Sequence, residues 1–181
     1  MDDVPPALRA YFQHAQLVRP TLVQERAWAP ALRGCDLVVT APTGSGKTLA
    51  FLLPGVPNAC LALAKAREEK QLEQQQDKSN NGQLVCRPLM LVICPTRELS
   101  KQVRSVARSF RRLYGLHSCA VYGGSDIDKQ VEKLHNHLGK DGEHHSIHLL
   151  VGTPGRIADL IRRGDLDLGL GNYVVRDEAD R

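Results

Sequence analysis

Short runs of apolar residues alternate with stretches of helical periodicity along almost the whole chain. The runs are 36–40 (DLVVT), 88–94 (PLMLVIC), 118–122 (SCAVY), 147–152 (IHLLVG) and 173–175 (YVV). Each is nearly continuous in apolar residues rather than alternating, the pattern of strands buried on both faces of a parallel sheet. Between 96 and 114, Leu99, Val103, Val106, Phe110 and Leu113 recur three or four apart. That spacing predicts one amphipathic helix, with Lys101, Arg104, Arg108 and Arg111 on its solvated face. A second helix is predicted from Ile127, Val131, Leu134 and Leu138, capped by Ser125 or Asp126 and stopped at Gly139. The stretch from Thr21 to Leu32 is a third, with Trp28 as a packing residue. Strand–helix–strand alternation implies right-handed crossovers and an α/β fold, a three-layer sandwich with a mostly parallel sheet.

One segment stands apart. Residues 65–83, KAREEKQLEQQQDKSNNGQ, carry Leu72 as their single large aliphatic residue and have no face to bury. They read as a helical extension passing into a disordered polar insertion. Residues 139–145 read as a second surface loop.

Composition narrows the class without naming a function. The 181 residues suffice for one sizeable domain. Apolar residues at 42% and charged residues at 24% suit a soluble globular protein. A charge of +4 and a pI near 8.9 permit a polyanionic partner without requiring one. Cys35, Cys60, Cys86, Cys94 and Cys119 form no CxxC pair, which predicts free thiols in a reducing compartment. No run reaches the length of a membrane span, and the opening MDDVPPALRAYF is not a secretory signal, so an intracellular soluble protein without membrane attachment is expected. His135, His137, His144, His145 and His148 have no cysteine among them and lie partly in polar loop, so a metal site there is disfavoured.

The chemistry gathers at strand ends. The run 36–40 leads into APTGSGKT (41–48) and then a helical LAFLLP. Gly44 and Gly46 allow a tight turn with N–H groups facing inward, and the helix start adds positive dipole. Lys47 supplies charge for the β and γ phosphates, and the Thr48 hydroxyl can ligate Mg2+. Ala41 stands where the strict phosphate-loop pattern has its first glycine. The run ending in VVRDEAD places Asp177 and Glu178 at the end of another strand. A metal-directing aspartate and a water-directing glutamate near a γ phosphate are what phosphoryl transfer to water needs, since that catalysis is mostly positioning and charge stabilisation.

These two motifs, with RPTLVQ (19–24), PTRELS (95–100), GG (123–124) and TPGR (153–156), resemble the first RecA-like domain of a DEAD-box RNA helicase. The resemblance covers the chain from about residue 17 onward, with six motifs in the family's order. Ala41 is then the helicase form of the loop.

The resemblance implies a RecA-like P-loop NTPase domain spanning 1–181, partial and without the second RecA-like domain that completes the helicase. It implies ATP and Mg2+ as cofactors, with Arg19, Thr21 and Gln24 reading adenine. Ala41, Pro42, Thr43, Gly44, Ser45, Gly46, Lys47 and Thr48 would hold the phosphates, Thr48 and Asp177 the metal, the latter partly through water. Glu178 would direct the attacking water, and Asp180 would couple the two domains. Pro95, Thr96, Arg97, Gly123, Gly124, Thr153, Pro154, Gly155 and Arg156 would contact RNA backbone without reading its sequence. Thr96 and Thr153 each open a helix, so their hydroxyls and the N–H groups beside them suit phosphate oxygens independently of the family. Aromatic residues at 4% give little surface for base stacking.

Four features depart from the family pattern. Gln16 and Leu17 replace a glycine and an aromatic, and the family's adenine-stacking aromatic would precede Met1. The insertion 65–83 lengthens the path from Lys47 to Pro95. Arg176 stands where the family has an aliphatic residue in a covered strand; it could reach an edge, pair with an acid elsewhere, or mark an atypical sequence. The expected function is the ATP-binding half of a monomeric, nuclear, nucleolar or cytoplasmic RNA-dependent ATPase that unwinds short duplexes or remodels ribonucleoproteins. The alternative is an ATP-gated RNA clamp with little turnover.

Overall fold

The structure is a computed structural model and describes residues 4–73, 85–135 and 146–179. The chain divides into two compact units, Met1–Asn58 and Ala59–Arg181.

In the first unit a short 3-10 turn, Pro6–Leu8, leads into α1 (Arg9–His14), followed by α2 (Leu22–Leu32) and α3 (Lys47–Leu52). α4 (Gly55–Glu73) begins here and continues into the second unit. Leu8, Phe12, Trp28, Leu52 and Leu53 are fully buried. Phe12 and Trp28 meet edge to face with centroids 5.4 Å apart. The Trp28 indole N–H donates to the Leu49 carbonyl at 3.3 Å, so Trp28 ties α2 to α3 as a packing residue with its polar tip satisfied.

The run 36–40, expected as the first strand, is not one. All five residues are exposed, Val38 by 98%. β propensity supplies side chains suited to a sheet, but a strand exists only where neighbours satisfy its N–H and C=O groups. Residues 36–40 pair with no strand among the described residues. The membrane expectation also changes. The helical stretch Lys47–Lys65 is long and apolar enough to span by length and composition. It is interrupted at Leu53–Pro54, and Ala50, Leu52, Leu53, Val56 and Ala59 are buried, as in the core helix of a globular fold.

The second unit is built on a parallel sheet of β1 (Met90–Ile93), β2 (Ser118–Val121), β3 (Leu149–Gly152) and β4 (Tyr173–Arg176), in the order β2-β3-β1-β4. All four coincide with predicted runs. Leu91, Ile93, Cys119, Val121 and Leu150 line one face. Onto them pack Ile127, Val131 and Leu134 of α7 (Ile127–His135), and Ile157 and Leu160 of α8 (Pro154–Arg163). α5 (Arg97–Ala107) packs on β2 and β3 and buries Val103 and Ala107, which are outside that cluster. Alternation of side chains along a strand gives it the opposite face, so helices cover both sides of the sheet.

The single helix expected over 96–114 is two, α5 and α6 (Ser109–Tyr114), broken at Arg108. The Ser109 hydroxyl donates to the Val106 carbonyl at 2.7 Å, a local bond of the kind that competes with helix continuation. α7 is capped as predicted, the Asp126 carboxylate accepting from the N–H groups of Asp128 and Lys129. The insertion is helical to Glu73, while 74–83 and the loop at 139–145 lie outside the described residues.

Among the described residues β4 is an edge strand rather than a covered one. Tyr173 and Val175 are half-buried, whereas Val174 and Arg176 are exposed. Arg176 therefore takes the first of the alternatives left by the sequence, an edge position in contact with water, and incurs no burial penalty.

Candidate functional site

In the first unit the loop 41–48 turns through two left-handed glycines, Gly44 (φ 80°) and Gly46 (φ 90°). The Lys47 ammonium donates to the carbonyls of Ala41 at 2.6 Å and Pro42 at 3.3 Å, so the charge sits inside the loop's own turn. Thr48 follows in the first turn of α3.

Gln24 holds this loop from the side. Thr21 and Gln24 form a capping box at the start of α2, in which the Thr21 N–H donates to Gln24 Oε1 at 3.0 Å. Gln24 Nε2 donates to the Gly46 carbonyl at 3.1 Å. A Cβ at Gly46 would lie 2.6 Å from Gln24 Nε2 and 3.2 Å from Thr21 Oγ1, so only glycine admits this approach. Gln24 is buried, with both ends of its amide engaged by the protein. Arg19 and Thr21 are exposed beside it.

In the second unit, strand register sets the site. Ile93 pairs with Gly152 and with Arg176, and Gly152 pairs with Val121. The four carboxyl ends are therefore level, and the loops carrying PTR, GG, TPGR and DE leave one edge of one sheet.

After β1, Thr96 caps α5 by accepting from the Leu99 N–H at 3.2 Å, and Ser100 Oγ donates to the Thr96 carbonyl at 2.9 Å. Arg97 is an exposed cation paired with Glu98 at 3.2 Å. After β2, Gly124 adopts φ 75°, and a Cβ there would be 3.7 Å from Arg97 Nη1, so the two predicted motifs lie side by side. After β3, Thr153 caps α8 with Pro154 at its first position, and Thr153 Oγ1 accepts from the Gly123 N–H at 3.3 Å. Arg156 is only 9% exposed. Its Nη2 donates to the Ser125 carbonyl at 2.9 Å, while buried Nε and Nη1 have no hydrogen-bond partner among the described residues. Such donors fit an anion brought to the edge.

After β4, the Asp177 N–H extends the ladder to the Ile93 carbonyl at 2.9 Å. Glu178 turns the chain at φ 48°, a left-handed conformation costing a residue with a Cβ about 1–2 kcal/mol. Both carboxyls are half-buried near Cys94. Burial, then the Asp177 charge, pushes that thiol up to about 11 against a hydrogen bond with Ser100. Asp180 lies outside the described residues.

Sequence reasoning missed Gln130. Its amide accepts from the Tyr122 N–H at 3.0 Å and donates to the Tyr122 carbonyl at 3.0 Å and to Ser125 Oγ, holding the loop that carries Gly123 and Gly124. The available signal was a glutamine on the apolar stripe of α7, three residues after Ile127 and four before Leu134.

A family model described as "DEAD/DEAH box helicase" matches residues 21–181. The chain belongs to the DEAD/DEAH box helicase family. It is 34% identical over 178 residues to "Probable ATP-dependent RNA helicase ddx5" of Dictyostelium discoideum, covering 98% of this chain and 24% of that protein. It is 37% identical over 162 residues to "ATP-dependent RNA helicase DBP2" of Encephalitozoon cuniculi, covering 90% of this chain and 28% of the relative. The chain thus spans about a quarter of the length of these curated relatives. A solved structure of a "hypothetical ATP-dependent RNA helicase" from Sulfolobus tokodaii matches with TM-score 0.70 and 27% identity, over 98% of this chain and 42% of that one. The α/β fold of this DEAD/DEAH box chain, with its parallel sheet, is the one that its motif order implied.

Proposed function

We propose that this chain is the ATP-binding part of an ATP-dependent RNA helicase, one that binds Mg-ATP and RNA backbone. With a second RecA-like domain it couples ATP hydrolysis to separating RNA duplexes or remodelling RNA–protein complexes. The observation that carries the reading is the common edge at which Thr96, Gly124, Thr153 and Asp177 follow four strands in register. Relatives named as ATP-dependent RNA helicases support it.

In this reading Lys47 leaves the carbonyls of Ala41 and Pro42 for the phosphates, and Gln24, with Arg19 and Thr21, fixes the adenine end. Thr48 and Asp177 are hard oxygen donors. Mg2+ takes few protein ligands beside phosphates and water, and the donor chemistry of each residue suits it. When bound, the ion neutralises phosphate charge. Glu178 accepts a proton from the water that attacks the γ phosphorus; the bond to the bridging oxygen breaks, releasing ADP and phosphate. Arg97, Gly124, Thr153 and Arg156 contact phosphate and sugar, which predicts little sequence preference and recognition of RNA through its shape and 2′-hydroxyls. The exposed position of Arg176 removes the burial argument for the clamp alternative.

Anisotropy of a labelled single strand, mixed with the intact gene product, tests the reading. A nonhydrolysable ATP analogue should tighten RNA binding, with no such gain for a GTP analogue or for DNA. Equal gains with all of them would contradict it.

A further inference from the structure

A cavity of about 320 Å3 lies next to the loop that carries Gly123 and Gly124, along β2, which is an edge strand among the described residues. Lys101, Arg104, Ser105 and Arg108 of α5 form one wall, and Lys133 of α7 forms the other. Cys119, Ala120 and Tyr122 form the floor. α5 and α7 cover opposite faces of the sheet, so this groove wraps the edge strand and draws cations from both helical layers. Four cations line it and, among the described residues, no acid does. Among the described residues none of the four takes part in an ion pair. Arg104 Nε is buried there without a hydrogen-bond partner among the described residues. Lys101 Nζ sits 5.2 Å from the centre of the Tyr122 ring, holding one charge at the mouth. Burial raises the Cys119 thiol above its ordinary value, while the nearby charges of Arg104 and Lys133 pull it down, so both cations lie close to the floor.

Like charges gathered around a concavity repel one another and raise the local potential, an arrangement that an anion relieves. The geometry also says which anion. Tyr122 immediately precedes Gly123 and Gly124, and Lys101 lies one helical turn beyond Arg97. The groove therefore begins where the RNA-contacting loops end. We propose that it is a second binding site for the phosphodiester backbone, taking the RNA strand as it leaves the carboxyl edge of the sheet and runs down past β2. This rests on the RNA reading above and adds a site to it. The sequence-based expectation of a merely solvated basic face then holds for Arg111, which is outside the groove, and not for Lys101, Arg104 and Arg108.

Lys101, Arg108 and Lys133 are exposed, so charge reversal there leaves the core intact. The test measures single-stranded RNA binding by the intact gene product against salt for wild type, Arg108→Glu/Lys133→Glu and Arg97→Ala, together with lysine methylation read by mass spectrometry. The slope of log affinity against log salt should fall by about 0.7 for each phosphate that the double variant no longer neutralises. RNA should protect Lys101 and Lys133 from methylation. An unchanged slope and unprotected lysines, with Arg97→Ala still weakening binding, would overturn the groove alone. RNA binding indifferent to Arg97→Ala and to the double variant would overturn the RNA reading and the groove with it. A polyglutamate peptide protecting both lysines where RNA does not would overturn the proposal in favour of an acidic polypeptide.

Discussion

The Gln24 side-chain amide donates to the Gly46 carbonyl at 3.1 Å, while its oxygen accepts from the Thr21 N–H at 3.0 Å. One buried side chain thus couples the start of α2 to the turn of the loop 41–48. Gln24→Glu keeps the acceptor, loses the donor and sets a carboxylate against a carbonyl. Nucleotide affinity should fall about tenfold, equivalent to roughly 1.4 kcal/mol, read by titration with a fluorescent ATP analogue. Gly46→Ala should lose at least as much, because its Cβ would sit 2.6 Å from Gln24 Nε2 at φ 90°.

Gly152 ends β3 with no room for a side chain. A Cβ there would lie 2.8 Å from Val121 Cγ2, 2.9 Å from the Val121 carbonyl and 3.0 Å from Ile157 Cγ1. Backbone is among those neighbours, so the strain cannot be relieved by a rotamer change alone. Gly152→Ala should cost about 1–3 kcal/mol of stability, measured by denaturant titration.

Arg156 separates stability from function. Its guanidinium is buried and, among the described residues, Nε and Nη1 have no hydrogen-bond partner, so an apolar side chain of similar size removes an uncompensated burial cost along with the single bond to the Ser125 carbonyl. Arg156→Met should leave the melting temperature unchanged or higher while weakening RNA binding about tenfold, the scale of one charge-assisted hydrogen bond.

Buried thiols give the fold an alkaline limit. Burial, with Cys119 nearby, raises Cys86 from 9.0 to about 12, and burial with Asp177 raises Cys94 from 9.0 to about 11. Above pH 9 the unfolded chain releases these protons and the folded chain keeps them, so stability falls as pH rises. The decline should begin near pH 9 and continue to about 11–12, and Cys86→Ala should shallow it. At neutral pH a thiol reagent should modify exposed Cys35 well before Cys86, Cys94 or Cys119.

Four strands were legible in the sequence because each is a short apolar run bounded by turn residues, and the sheet needs no more than that. The fifth run, 36–40, has the same composition and remains exposed, because pairing rather than propensity makes a strand. The break at Arg108 and the exposure of Arg176 to water depend on a serine hydroxyl and on strand order, neither visible in apolar spacing. Of the candidate site, Thr96 and Thr153 were readable as helix openers from their place before each helix. Gln130 was not, since its partners Tyr122 and Ser125 are set by the fold. Arg156 was found by motif, but its burial depends on α8 packing against the loop after β2.

ATP hydrolysis by the intact gene product, with and without RNA, for wild type and Glu178→Gln, decides whether the chain serves an RNA-dependent ATPase. RNA should stimulate the wild type, and the substitution should reduce turnover roughly 10²-fold or more while ATP binding persists, the scale of a missing general base. Turnover indifferent to RNA, or unchanged by Glu178→Gln, would contradict the account.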